Sequence, residues 1–196
     1  IVGVDESRKY MHPPTGKITV YIGDVSAEND VERVPEIRAL AEGKVPLVVV
    51  DPRGLGQSAP QTCGCADIGA PYGSDFLYAS TGEMLGQSLL GRRVFDVLRS
   101  LDWLKAKGAT DIELVGRGLG SVIAAFAGLL HPAGPRVRLL HYLPSYQMLV
   151  DARQYAWPLS AILRGVLRHF DLPDVYRALG ERLSLEQPWN ARREPI

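Results

Sequence analysis

Cysteine is almost missing from this 196-residue sequence: Cys63 and Cys65, in the run C-G-C, are all there is. Residues two apart close only a strained disulfide. Two thiols with no neighbouring His or Cys cannot complete a tetrahedral zinc site. Both read as ordinary loop thiols, so no disulfide framework, metal or cofactor is expected. Excess charge is missing too. Lys+Arg and Asp+Glu number 22 each, for a net charge of +0, which argues against nucleic acid or an anionic membrane as partner, since both select a basic surface. Arginines do gather late (Arg164, Arg168, Arg177, Arg182, Arg192, Arg193), but acidic residues interleave with them, which predicts a solvated helical face. No apolar run approaches the roughly 20 residues that span a bilayer. Internal repeats and low-complexity tracts are lacking as well. The first residues, Ile1-Val2-Gly3, include no methionine, so the natural N-terminus is expected elsewhere.

What is present suits one globular domain over residues 1–196. Hydrophobic residues make up 46% and charged residues 22%, and the length supports a core of its own. KITVYIGD (17–24) alternates like a strand, VPLVVVD (45–51) is a continuous apolar run, and DIELV (111–115), VRLLHYL (137–143) and RLSLEQP (182–188) complete the predicted strands. Between them, AENDVERVPEIRALAEG (27–43) is helical in composition, with Val34, Ile37, Leu40 and Ala41 as its apolar stripe, Pro35 in a first turn and Gly43 at the end. Residues 52–80 read as a long connection, and 83–107 as an amphipathic helix with Leu90, Val94, Val97, Leu98, Leu101 and Leu104 on one face. Helices are also expected from the glycine turn at 116–120 to Leu130, within 157–170, and over 172–180. Apolar strands alternating with helices predict an α/β fold, a three-layer αβα sandwich around a mostly parallel sheet. In such sheets ligands collect at the carboxyl ends of the strands. Four stretches should therefore share one rim: 22–24, 51–54, 116–120 and 187–190.

The rim carries a resemblance. VVVDPRGLGQS, with Asp51, Arg53, Gly54, Gly56 and Ser58, resembles the D-x-R-G-x-G-x-S segment after the fourth strand of many α/β-hydrolases. ELVGRGLGS resembles their fifth strand and nucleophile elbow, the G-x-S-x-G turn that lifts a reactive oxygen above the sheet. The tail RHFDLPDVYRALGERLSLEQPWNA, from Arg168, is similar to the stretch in which their helix before the seventh strand leads to that strand and its terminal acid. The branch nearest in pattern is that of acetylxylan esterases, dienelactone hydrolases and prolyl-oligopeptidase-like enzymes, and the likeness runs from about Lys17 onward.

Tested residue by residue, the resemblance implies a scaffold without its chemistry. The nucleophile position is Gly118, and losing such a nucleophile costs on the order of a millionfold in turnover. The acid position is Asn190, which can hold a histidine but cannot stabilise an imidazolium as a charge does. The histidine would follow an eighth strand, for which no sequence remains after Ile196. The oxyanion amides would be Leu119 and one from Ile22-Gly23-Asp24, where Asp24 sets a negative charge beside a developing oxyanion. The implied function is a catalytically degenerate hydrolase-like domain, a structural, substrate-binding or interaction module of an esterase-type protein. One alternative is an active ester hydrolase on carbohydrate-like esters, with Ser121 as nucleophile and His169 with Asp171 as base and acid. Another is a small-ligand or anion-binding domain at the elbow.

Plainer roles stand beside these. Ser121 suits a first-turn serine bonding the backbone, and Asp171 suits the N-cap of the next helix. Asp51 and Arg53 are expected to pair with each other and hold their loop. His131 reads as a helix stop and His141 as a packed core histidine. Tyr142, Tyr146, Tyr155 and Trp157 could line a sugar cleft or simply pack. The two strands that hydrolases place before residue 17 are missing, which leaves VPLVVVD as an apolar edge. Such edges are normally covered, so further chain or another domain is the expected partner there.

Overall fold

The computed structural model describes residues 14–60 and 72–196, so Cys63 and Cys65 lie outside the described residues. Five strands, β1 (Gly16–Ile22), β2 (Leu47–Val50), β3 (Ala109–Arg117), β4 (Arg136–Leu140) and β5 (Leu183–Glu186), form one sheet in the order β2-β1-β3-β4-β5. Every pairing is parallel. The α/β class and the layered sandwich are as the sequence predicts. This 2-1-3-4-5 order is a common doubly wound one, and it is compatible with an α/β-hydrolase-like sheet.

Right-handed crossovers explain the layers. The chain steps one way from β1 to β2, then reverses past β1 to reach β3, β4 and β5. The first connection therefore packs on one face and the later ones on the other. On the first face lie α1 (Ala27–Arg33) and α2 (Pro35–Ala41), where Val31 and Ile37 meet Tyr21, Leu47, Val115 and Leu140. The opposite face holds the larger core. There α4 (Leu89–Ala106) and α5 (Leu119–Leu130) lay Val97, Leu101, Val122 and Ile123 on Ile18, Val20, Leu114 and Leu139, with α7 (Leu172–Leu179) alongside. No helix among the described residues is long and apolar enough to cross a membrane.

Several boundaries depart from expectation for identifiable reasons. The helical stretch predicted over 27–43 is two helices, because Val34 precedes Pro35 and is extended (φ −104, ψ 110), as a residue before proline prefers. Pro35 opens the second. The connection at 52–80 contains a helix, α3 (Asp75–Met84), and the helix predicted from 83 begins at Leu89, capped by Ser88 Oγ on the Gly91 amide. Residues 157–170 form only two isolated 3-10 turns, separated by Gly165 with φ +72. A short α6 (Gln147–Asp151) was not foreseen.

Burial also differs. The strands are not apolar on both faces. Beyond α1 and α2, the first face of the sheet carries charge: Arg138 grips Glu186 with two bonds of 2.7 and 2.9 Å, and Arg136 pairs with Asp111. No helix is needed over a face that water can solvate. As expected, β2 is an edge strand among the described residues, where it pairs with β1 alone.

Candidate functional site

All five strands run parallel, so their carboxyl ends form one rim, and the four predicted stretches do meet there. The reversal point lies between β1 and β3, where doubly wound proteins open a crevice for ligands. Asp24 stands at the end of β1 and Gly118 at the end of β3.

Glycine permits the close approach. Gly118 holds φ +55 and ψ −123 between strand and helix, a turn glycine adopts without the Cβ penalty. A Cβ on Gly120 would strike the backbone of Ile22 and Gly23, and one on Gly116 would strike Gly120. The tight strand-to-helix turn that the glycines predict is therefore present, and Gly118 puts no reactive side chain on it.

Its place is taken. The Asp24 carboxylate, 6% exposed as a residue, accepts the Leu119 amide at 2.8 Å through Oδ1. This is the amide that would stabilise an oxyanion in a hydrolase. Tyr72 donates its hydroxyl to the same oxygen at 2.8 Å, and Arg193 pairs with Oδ2. Burial, reinforced by the Asp24 charge, pushes the Tyr72 hydroxyl far above its ordinary range, so it stays a donor. A Cβ on Gly118 would lie 2.5 Å from Asp24 Cγ, so the carboxylate and a nucleophilic side chain exclude each other.

Arg193 is enclosed as well as paired. Its guanidinium carbon lies 4.8 Å from the centre of the Trp189 ring, 5.0 Å from Tyr72 and 5.9 Å from Trp157. Such contacts favour a cation taken out of water. Arg193 itself has φ +65, in a tail turn stapled by Asn190. Asn190 Oδ1 accepts the amides of Arg192 and Glu194, and its carbonyl accepts Trp157 Nε1. Asn190 thus shapes a turn, and its side chain is bonded within the tail.

A second layer holds the first. Asp30, in α1, accepts the Tyr21 hydroxyl at 2.7 Å, the Asp24 amide at 3.1 Å and Arg117 Nη1 at 3.0 Å. Arg117 Nε then donates to His141 Nδ1 at 3.0 Å, and the imidazole stacks on Trp189 at 4.4 Å and 4°. Strand β4 ends at Leu140, so His141 is a rim residue with φ +51 and only half-buried, which corrects the core histidine expected in a longer strand. Burial, aided by the Arg117 charge, lowers its pKa below the ordinary histidine value. The imidazole is accordingly neutral near pH 7, and Nδ1 is the accepting nitrogen.

Other sequence-derived residues lie apart from this network. Ser121 is fully buried and donates its Oγ to the Gly118 carbonyl at 2.6 Å, as a first-turn serine does. Asp171 caps α7 in a reciprocal capping box with Asp174, and also accepts Ser145 Oγ and the Tyr146 amide at 2.6 Å each. His169 is exposed and ends a 3-10 turn. Nothing brings Ser121, His169 and Asp171 together.

The D-x-R-G-x-G-x-S loop is a clamp. Asp51 accepts the Ala27 amide at 2.9 Å and the Gln57 amide at 3.0 Å, which ties the end of β2 to the start of α1. Ser58 Oγ bonds the Asp51 carbonyl. Gly54 and Gly56 both have positive φ, and a Cβ on Gly56 would strike the Asp51 carboxylate. The expected Asp51–Arg53 pair does not form: Arg53 reaches Asp96 on α4 with its backbone amide and Nε at 3.1 and 2.7 Å. The carboxylate of Asp51 is already committed to backbone amides.

Of the expected aromatics, Trp157 joins the rim. Tyr142 meets Tyr176 edge to face, and Tyr146 donates its hydroxyl to the Ala161 carbonyl. Arg117 and His141 could have been flagged by position alone, since both stand at strand ends. Asp30, Tyr72, Trp189 and Arg193 carried no local signal, because they reach the rim from a helix, a connection and the tail. Among the described residues no group of three or more His, Cys, Asp or Glu side chains is arranged to hold a metal ion. Comparison with protein-family models, with curated proteins and with solved structures gives no match.

Proposed function

We propose that the chain is a hydrolase-like domain without elbow chemistry, serving as a structural or interaction module of a larger esterase-type protein. One observation carries this reading: the Asp24 carboxylate sits on the Leu119 amide, where an active elbow keeps room for its nucleophile and a developing negative charge. Electrostatic stabilisation of that charge is usually the largest single contribution to acyl-transfer catalysis. A fixed carboxylate there repels what an active site must attract. Ser121 cannot replace the missing group, since its oxygen faces the Gly118 carbonyl inside the first turn. An anion receptor at the elbow is disfavoured by the same carboxylate. A sugar cleft is disfavoured by Trp157 and Trp189, whose faces are already occupied by Arg193.

The module role rests on β2. Its residues Leu47–Val50 are all apolar and, among the described residues, pair with one neighbour only, an edge that natural proteins cover. The test is hydrolysis of p-nitrophenyl acetate by the purified protein beside its Ser121→Ala variant. Both should match the background rate. Turnover above background that is lost in the variant would overturn the reading.

A further inference from the structure

We propose a ligand site in the segment between β4 and α7, which takes a small amphipathic carboxylate. It does not depend on the function argued for the rim. A cavity of about 630 Å³ opens there, within the roughly 300–1,000 Å³ typical of small-molecule sites. Its floor is Tyr146, Leu149 and Val166, all buried, and Val150, Ile162 and Leu163 add apolar wall.

The site is built rather than incidental. The Tyr146 hydroxyl is turned away to the Ala161 carbonyl at 2.8 Å, which leaves the ring as an apolar surface. Asp171 fixes Ser145 and Tyr146 on one side while capping α7 on the other, so the floor is anchored to the main core. Gly165, with φ +72 and open space around its Cβ position, makes the turn that shapes the second wall.

Two polar side chains line the cavity, Tyr155 and Arg168. Among the described residues neither has a hydrogen-bond or ion-pair partner for its side chain. Arg168 is exposed and, among the described residues, is the one cation that lines the cavity. An apolar hollow with one unneutralised guanidinium selects its ligand by chemistry. A carboxylate meets the fork of Arg168 by charge-assisted hydrogen bonds, and a short alkyl or aryl body covers the wall around Val150, now 66% exposed. A free phosphate would leave that wall wet. A cationic amphiphile would be repelled.

Isothermal titration calorimetry with octanoate tests the site, with octan-1-ol and octyltrimethylammonium as controls. The variants are Arg168→Gln and Val150→Asp, both at exposed positions and both checked for unchanged circular dichroism. Octanoate should bind saturably at one site, about tenfold more weakly to Arg168→Gln, the loss expected for one exposed charge-assisted contact. Octan-1-ol should bind wild type and Arg168→Gln alike, and Val150→Asp should not bind octanoate. Absence of saturable octanoate binding would overturn the proposal. So would equal octanoate affinity in Arg168→Gln or Val150→Asp, or octyltrimethylammonium binding as tightly as octanoate.

Discussion

Placing a serine at Gly118 asks the elbow to accept the side chain that the resemblance says it lost. Two costs can be read from the structure. The residue has φ +55, and a side chain in a left-handed conformation costs roughly 1–2 kcal/mol. The new Cβ would also lie 2.5 Å from Asp24 Cγ, so the carboxylate must leave the Leu119 amide. Losing a hydrogen bond to a charged group adds about 1.5–3 kcal/mol. Gly118→Ser should therefore destabilise the fold by about 2.5–5 kcal/mol, a large part of the roughly 5–15 kcal/mol of a typical domain. Asp24→Gly alone should cost about 3–5 kcal/mol, because it leaves the Arg193 cation buried without its partner. On the Asp24→Gly background the serine meets only the backbone cost. The double variant should accordingly be about 1.5–3 kcal/mol more stable than the sum of the single changes predicts. Urea denaturation followed by tryptophan fluorescence measures this, since Trp157 and Trp189 flank Arg193 and report on the rim directly. If the two changes add to within about 0.5 kcal/mol, Asp24 does not occupy the nucleophile's space and the account of the elbow fails.

Two further outcomes are expected. His141 should titrate below pH 6.5, the reference value, and its nitrogen-15 spectrum should show the Nε2–H tautomer, with Nδ1 accepting from Arg117. Its folded pKa is lowered, so its contribution to stability is complete above the unfolded value and is lost as the pH falls towards the folded one. An Nδ1–H tautomer, or a midpoint above 6.5, would refute this. Along β2, Thr19 donates to the Pro46 carbonyl, so in the parallel ladder residues 46, 48 and 50 face β1 while Leu47 and Val49 point their amides outward. Hydrogen exchange of the isolated chain should be fast at Leu47 and Val49 and slow at Val48 and Val50. Slow exchange at all four would mean that the edge is already covered.

The elements that read best in the sequence are those whose local pattern and tertiary fate agree. The apolar stripe of α4, from Leu90 to Leu104, is buried as its spacing requires. The glycines at 116, 118 and 120 marked the elbow because each meets a backbone or a carboxylate that would reject a Cβ. The reading failed where distant chain decides. Residues 157–170 have helical composition but wrap a tyrosine and form single turns around Gly165. Arg53 ignores the aspartate two residues away, because Asp51 is held by the Ala27 and Gln57 amides.

What the sequence determined by itself was the class of fold, the rim where the strands end, and the absence of a nucleophile at Gly118, since each follows from periodicity or from the identity of one residue. What only the tertiary structure decided was what fills the rim. Asp24, Tyr72 and Arg193 are separated by 48 and 169 positions from Asp24 onward, and no local pattern records that they will meet. Their meeting is set by the reversal of strand order between β1 and β3, which brings Asp24 under Gly118, and by the tail turn at Asn190, which carries Arg193 back over them. Charge placed by long-range packing, rather than by spacing along the chain, closes this elbow.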